Sequence, residues 1–123
     1  MNPEESQTEK HTRLAEKLMR DASREIAEGE LVQGSEKLWG AASQALKAYC
    51  ASRGIPHGKY AQRRHAALEL SDEREDDSIR LAFKLAESCH ANFYNDWMEQ
   101  EDLDSHVADI RTFVEKILDA RAA

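Results

Sequence analysis

Apolar residues recur along this chain at helical spacing rather than in the alternation of strands. Leu14, Leu18, Met19, Ala22 and Ile26 predict a first helix, and Gly29 offers the left-handed conformation that ends a helix without a Cβ clash. Two capped starts are open to it, Asn2-Pro3-Glu4-Glu5 and Ser6-Gln7-Thr8-Glu9. Each has a side-chain oxygen for orphan amides and a glutamate three residues on. Residues 1–8 are expected to fray.

Leu31, Ser35, Leu38, Trp39, Ala42, Ala45, Leu46 and Tyr49 then keep to one face, the most regular stripe in the chain, with Trp39 at its centre and expected in the core. Gly34 and Gly40 each cost about 1 kcal/mol relative to alanine inside a helix, so a neighbouring helix is expected to approach closely there. Gly54-Ile55-Pro56-His57-Gly58 is a clear loop, because Pro56 turns Ile55 away from helical geometry. A short helix from Tyr60 to Leu70 follows. Ser71 to Asp77 lacks apolar anchors and reads as a surface loop. Ile79, Ala82, Phe83, Ala86, His90, Phe93 and Trp97 predict a fourth helix, and Leu103, Val107, Ile110, Val114 and Ile117 a last one. The fold expected is all-α, an up-and-down bundle of four to five helices. Residues 1–123 are of the length of one domain.

Composition narrows the picture. Charged residues are 33% and hydrophobic residues 41% of the chain, a balance that suits amphipathic helices and a core. No apolar run reaches the roughly 20 residues of a membrane span, and the acidic N-terminus is unlike a signal peptide. A cytoplasmic location without membrane association is therefore expected. Cys50 and Cys89 form no CxxC pair and read as buried thiols.

The net charge of −7 is unevenly spread. No acidic residue lies between Glu36 and Glu69, a window that holds Lys37, Lys47, Arg53, Lys59, Arg63 and Arg64. His57, Lys59, Arg63, Arg64 and His65 crowd one loop and one short helix, and Arg53 precedes that loop. They could bind a phosphate-bearing ligand, a nucleotide or nucleic acid, or pair with the acidic part of this chain or of a second subunit. In Cys89-His90-Ala91-Asn92-Phe93-Tyr94-Asn95, His90 and Tyr94 are i and i+4 and share a helix face. Two readings stand. The aromatics fill a core, or His90, Tyr94 and Asn95 form a polar cluster at a cleft or dimer seam, where imidazole binds an anion or moves a proton.

Glu87 and His90 make one Glu-x-x-His pair, but the inward positions of the first two helices lack the further glutamates a di-iron bundle needs. No metal, cofactor or catalytic motif is expected, since a P-loop, a Gly-rich dinucleotide turn and a serine nucleophile elbow are all missing.

The stretch LVQGSEKLWGAASQALKAYCASRGI resembles the second helix of HEPN-type domains, and HANFYND resembles the His-x-x-Phe-Tyr element of PaREP-type archaeal proteins, small helical proteins associated with the same superfamily. The likeness covers most of residues 12 to 118. It implies a HEPN-like bundle, a homodimer, and one of two roles. Some such proteins are metal-independent ribonucleases with an Arg-x4-6-His motif at the dimer cleft; others bind partners such as nucleotidyltransferases. This chain departs from the motif, because Arg80 precedes His90 by ten and Arg53 precedes His57 by four. The resemblance thus favours a non-enzymatic dimerising module, with a degenerate ribonuclease centred on His90 as the alternative. A tetratricopeptide hairpin is the structural rival, but its roughly 34-residue period does not recur after Gly54.

Overall fold

The computed structural model describes residues 5–121, which form five helices and no strand. They are α1 (Gln7–Ala27), α2 (Leu31–Ser52), α3 (Tyr60–Arg74), α4 (Asp77–Asn95) and α5 (Gln100–Ala120). Ser6 starts α1: its hydroxyl accepts the Glu9 amide at 3.0 Å while the Glu9 carboxylate accepts the Ser6 amide at 3.1 Å. The alternative start at Asn2 to Glu4 lies outside the described residues.

Gly29, at φ 83°, closes α1 and returns the chain as α2. The two helices meet over Gly34, where a Cβ would stand 2.4 Å from Cγ1 of Ile26, and over Gly40, where it would stand 3.2 Å from Cδ1 of Leu18. The expected close approach is therefore present, and it is tightest at Gly34. α2 packs against each of the other four helices. Its Leu38, Ala41, Ala42, Ala45, Leu46 and Ala48 are fully buried, and Phe83, Ile110, Phe113 and Ile117 complete the centre of the core from α4 and α5.

Two sequence expectations need correction. The segment Ser71 to Asp77 is not a loop, since α3 continues to Arg74 and only Glu75 and Asp76 separate it from α4. A solvated last helical turn needs no apolar anchor. Its carbonyls are taken by the amides of Glu75 and Asp76, with Glu75 left-handed at φ 50° and the buried Ser71 hydroxyl donating to the Asp76 carbonyl at 2.7 Å. Nor does the α4 stripe run through to Trp97. Asp96, left-handed at φ 48°, ends the helix, and Trp97 is exposed. The buried positions after Ala86 are Cys89 and Asn92. Asn92 donates to the Ser35 hydroxyl at 2.7 Å and accepts the amides of Trp97 and Met98, both at 2.8 Å. It thereby holds the α4–α5 turn onto α2.

Among the described residues, no helix is long and apolar enough to cross a membrane.

Candidate functional site

Trp39 is not at the heart of the core. It is half-buried, packed against the core on one side and walling an open cleft of about 420 Å³ on the other. Tyr60 and Arg63 of α3 and Glu87, His90 and Ala91 of α4 line the rest. The cleft exists because α3 is short of large apolar residues, so its N-terminal half presents Tyr60 and Arg63 to α2 and α4.

Inside it, polar groups are held rather than loose. His90 Nδ1 lies 2.7 Å from Oε1 of Glu36, on α2. A carboxylate can only accept, so Nδ1 carries the proton and Nε2 is left as the ring's free nitrogen. The indole of Trp39 lies 5.3 Å from the imidazole, and the Tyr94 ring meets it edge-on at 5.4 Å. The Tyr60 hydroxyl donates to the Glu87 carboxylate, whose pKa is raised by burial. Burial also lowers the Arg63 pKa. The Arg63 Nη1 donates to the His57 carbonyl at 3.0 Å, and its Nε is buried with no hydrogen-bond partner among the described residues. The cleft thus offers a cation, an oriented imidazole, a carboxyl biased toward its neutral form and two aromatic faces.

The residues singled out from sequence separate into three groups. Arg63 and His90 line the cleft, with Tyr94 against the imidazole but 71% exposed. His57 turns away toward α1, its ring 5.5 Å from that of His11. The others stand apart. Arg53 donates to the Ala120 carbonyl at 2.7 Å and lies over the Tyr49 ring, Lys59 and Arg64 are exposed, and Asn95 donates back to the Ala91 carbonyl at 3.0 Å.

Sequence reasoning did not assign Glu36, Trp39, Tyr60 or Lys47 to a site, and weighed Glu87 only as a metal ligand. A signal existed for two of them. Glu36 and Trp39 are three apart on α2, so a cleft beside that helix edge collects both. Among the described residues no three His, Cys, Asp or Glu side chains converge as metal ligands. Both cysteines are buried, with thiols pushed up to about 11 at Cys50 and about 12 at Cys89, which makes them unreactive.

Residues 10–114 match the model of the archaeal PaREP1/PaREP8 family. No curated protein matches the chain. A crystal structure of a protein from Sulfolobus solfataricus is similar in fold, with a TM-score of 0.76 and 21% identity over 87% of this chain and 95% of that one.

Proposed function

This chain belongs to the archaeal PaREP1/PaREP8 family, and on that premise we propose that it is a non-enzymatic, HEPN-like helical module whose cleft receives a phosphate-bearing ligand. In this reading it works as a homodimer beside a partner protein, with residues 1–123 as one domain. The observation that carries it is that Arg63 and His90, on different helices, line one open cleft beside Trp39 and Tyr60. Arg63 supplies charge to phosphate oxygens. Trp39 and Tyr60 supply flat apolar surface. Exposed Leu81, Tyr94 and Trp97 are the apolar groups a second subunit or a partner would cover.

The test is Trp39 fluorescence, read in a Trp97→Phe background, during titration with ATP and with a short single-stranded RNA. Saturable quenching that Arg63→Met abolishes and Lys59→Met leaves intact supports the cleft. Equal loss in both variants sinks it in favour of a diffuse basic face. Sedimentation at micromolar concentration should give twice the 14.0 kDa chain mass.

A second reading, a degenerate ribonuclease centred on His90, draws support from the Glu36–His90 hydrogen bond, which leaves Nε2 able to take a proton from a ribose hydroxyl. RNA cleavage in EDTA that disappears in His90→Gln would favour it over simple binding.

A further inference from the structure

Behind Arg63, away from the cleft, the α1, α2 and α2–α3 loop segments bring a second set of nitrogen groups together. His11 is 7% exposed, and its Nδ1 lies 2.6 Å from Oε1 of Gln44. His57 Nδ1 lies 3.0 Å from the Ile55 carbonyl. Both contacts are to oxygens that only accept, so each Nδ1 bears the proton and each Nε2 is left without a partner. The rings meet edge-on at 5.5 Å. Lys47 is half-buried, and among the described residues no carboxylate pairs with it. Arg63, tied to this loop through the His57 carbonyl, brings a guanidinium whose Nε has no partner.

The charges that act on this junction all have one sign. Lys10 on α1, Lys47 on α2 and His57 on the loop each oppose a proton on His11; burial opposes it most and the Gln44 hydrogen bond favours it. Lys47 is itself lowered, by burial first and then by Arg63 and Lys10. The Cys50 thiol beside Arg63 stays protonated, pushed up to about 11. Half-buried like charges without a counterion destabilise a fold, and an anion placed among them adds an attraction to each that opposes their mutual repulsion.

We propose that this junction is an oxyanion site, in which Lys47, Arg63 and the Nε2 atoms of His11 and His57 hold one tetrahedral anion of the phosphate or phosphomonoester class. It goes beyond the cleft reading and does not depend on it, since only Arg63 is shared. Occupation draws protons onto the imidazoles, because the anion favours their charged form. The site therefore binds more tightly as pH falls through the histidine range and takes up protons on binding.

The experiment follows the imidazole NMR signals of His11 and His57 during titration with sulfate, whose charge is constant between about pH 5.5 and 8 while histidine titrates. Saturable shifts of both rings, tighter binding at the acid end and proton uptake seen by calorimetry in two buffers are expected. Lys47→Met should weaken sulfate by about tenfold, as loss of one charged hydrogen bond does, and Trp39→Ala should leave it unchanged. Inorganic phosphate and glycerol phosphate then distinguish a free anion from an ester headgroup by which binds more tightly. Unsaturable shifts, or identical sulfate binding in wild type and Lys47→Met, overturn the site. If Lys47→Met misfolds, His57→Asn on the loop replaces it with the same expectation. Because Trp39 fluorescence reports only the cleft, failure of the two sites is distinguishable.

Discussion

The two sides of α2 are built on opposite rules. Toward α1 it presents Gly34 and Gly40 at van der Waals distance or closer, and the small side chains beside them leave no room for water. Toward α3 and α4 it presents Glu36 and Trp39, both partly open to solvent. Around these two glycines the seam contributes stability through close packing. The open side gives up packing and keeps a carboxylate–imidazole hydrogen bond and an aromatic wall. What matters there is whether a polar group is sealed or open. Asn92 and Ser35 are sealed, and hold the turn; Glu36 and His90 are partly open to solvent.

The largest expected effect comes from breaking a sealed group. Asn92→Leu leaves the amides of Trp97 and Met98 without their acceptor, while the Ser35 hydroxyl keeps its bond to the Leu31 carbonyl; each orphaned amide costs about 1 to 3 kcal/mol, so a total loss of about 2 to 6 kcal/mol is expected. Chemical denaturation measures it. A loss below about 1 kcal/mol would mean that water replaces the side chain, and that the α4–α5 turn is no more sealed than the cleft.

Next comes the dry seam. A side chain at Gly34 meets Ile26 far inside contact distance, so Gly34→Val should destabilise by about 2 to 3 kcal/mol through overpacking. Gly34→Ala is the gentler probe, since better helix propensity offsets part of the strain. Unchanged thermal stability in both would show that the two helices can part at no cost.

Trp39→Ala sharpens the contrast from the other side. A residue at the centre of a buried stripe would cost about 3 to 5 kcal/mol. Half-buried against the cleft, Trp39 should cost about 1 to 2 kcal/mol, while ligand quenching and affinity are lost altogether. A loss of the larger size with ligand affinity unchanged would return Trp39 to the core and dissolve the cleft as a site.

Why Trp39 was misplaced by its spacing shows how far the sequence is legible. Periodicity identifies which face of a helix is apolar, but not where along that face the neighbours stop. The bundle, its five helices and the α1–α2 turn follow from stripes and from Gly29, which takes the left-handed conformation at the end of its stripe. After Gly58 no glycine or proline remains, and both later breaks are made by residues that rarely take positive φ, Glu75 and Asp96. The first end is held by a local bond from Ser71 to the Asp76 carbonyl, and the second by Asn92, which is itself anchored to Ser35 of α2, a partner that local sequence does not reveal. The cleft was half legible: Arg63 and His90 stood out by charge and motif. Glu36, Lys47 and His11 did not, because their partners are 33 or more residues distant or lie across a loop.

The smallest effect is read at the acid limb, on two carboxylates of the α4 segment that titrate in opposite senses. Lys116 first, then Ser78, holds the Asp76 carboxyl down to about 2, whereas burial in the cleft raises that of Glu87. A carboxyl lowered in the folded state stabilises fully above its unfolded value of about 3.9 and loses that contribution as pH falls through 2. A raised carboxyl does the reverse. Its burial penalises the folded state once it ionises, and the penalty is relieved as pH falls below its folded pKa. Urea midpoints between about pH 6 and 2 should therefore fall less steeply at the acid end in Lys116→Met than in wild type, with the difference confined below about pH 4. Glu87→Gln should raise the midpoint near pH 6 and converge on wild type below about pH 4. Asp76 is well solvated, so its effect is small and should shrink further in 1 M salt. Parallel curves for Lys116→Met and wild type would show that the ion pair does nothing for the α3–α4 turn. A Glu87→Gln curve that coincides with wild type at pH 6 would show that the cleft is wet enough to charge the carboxylate freely.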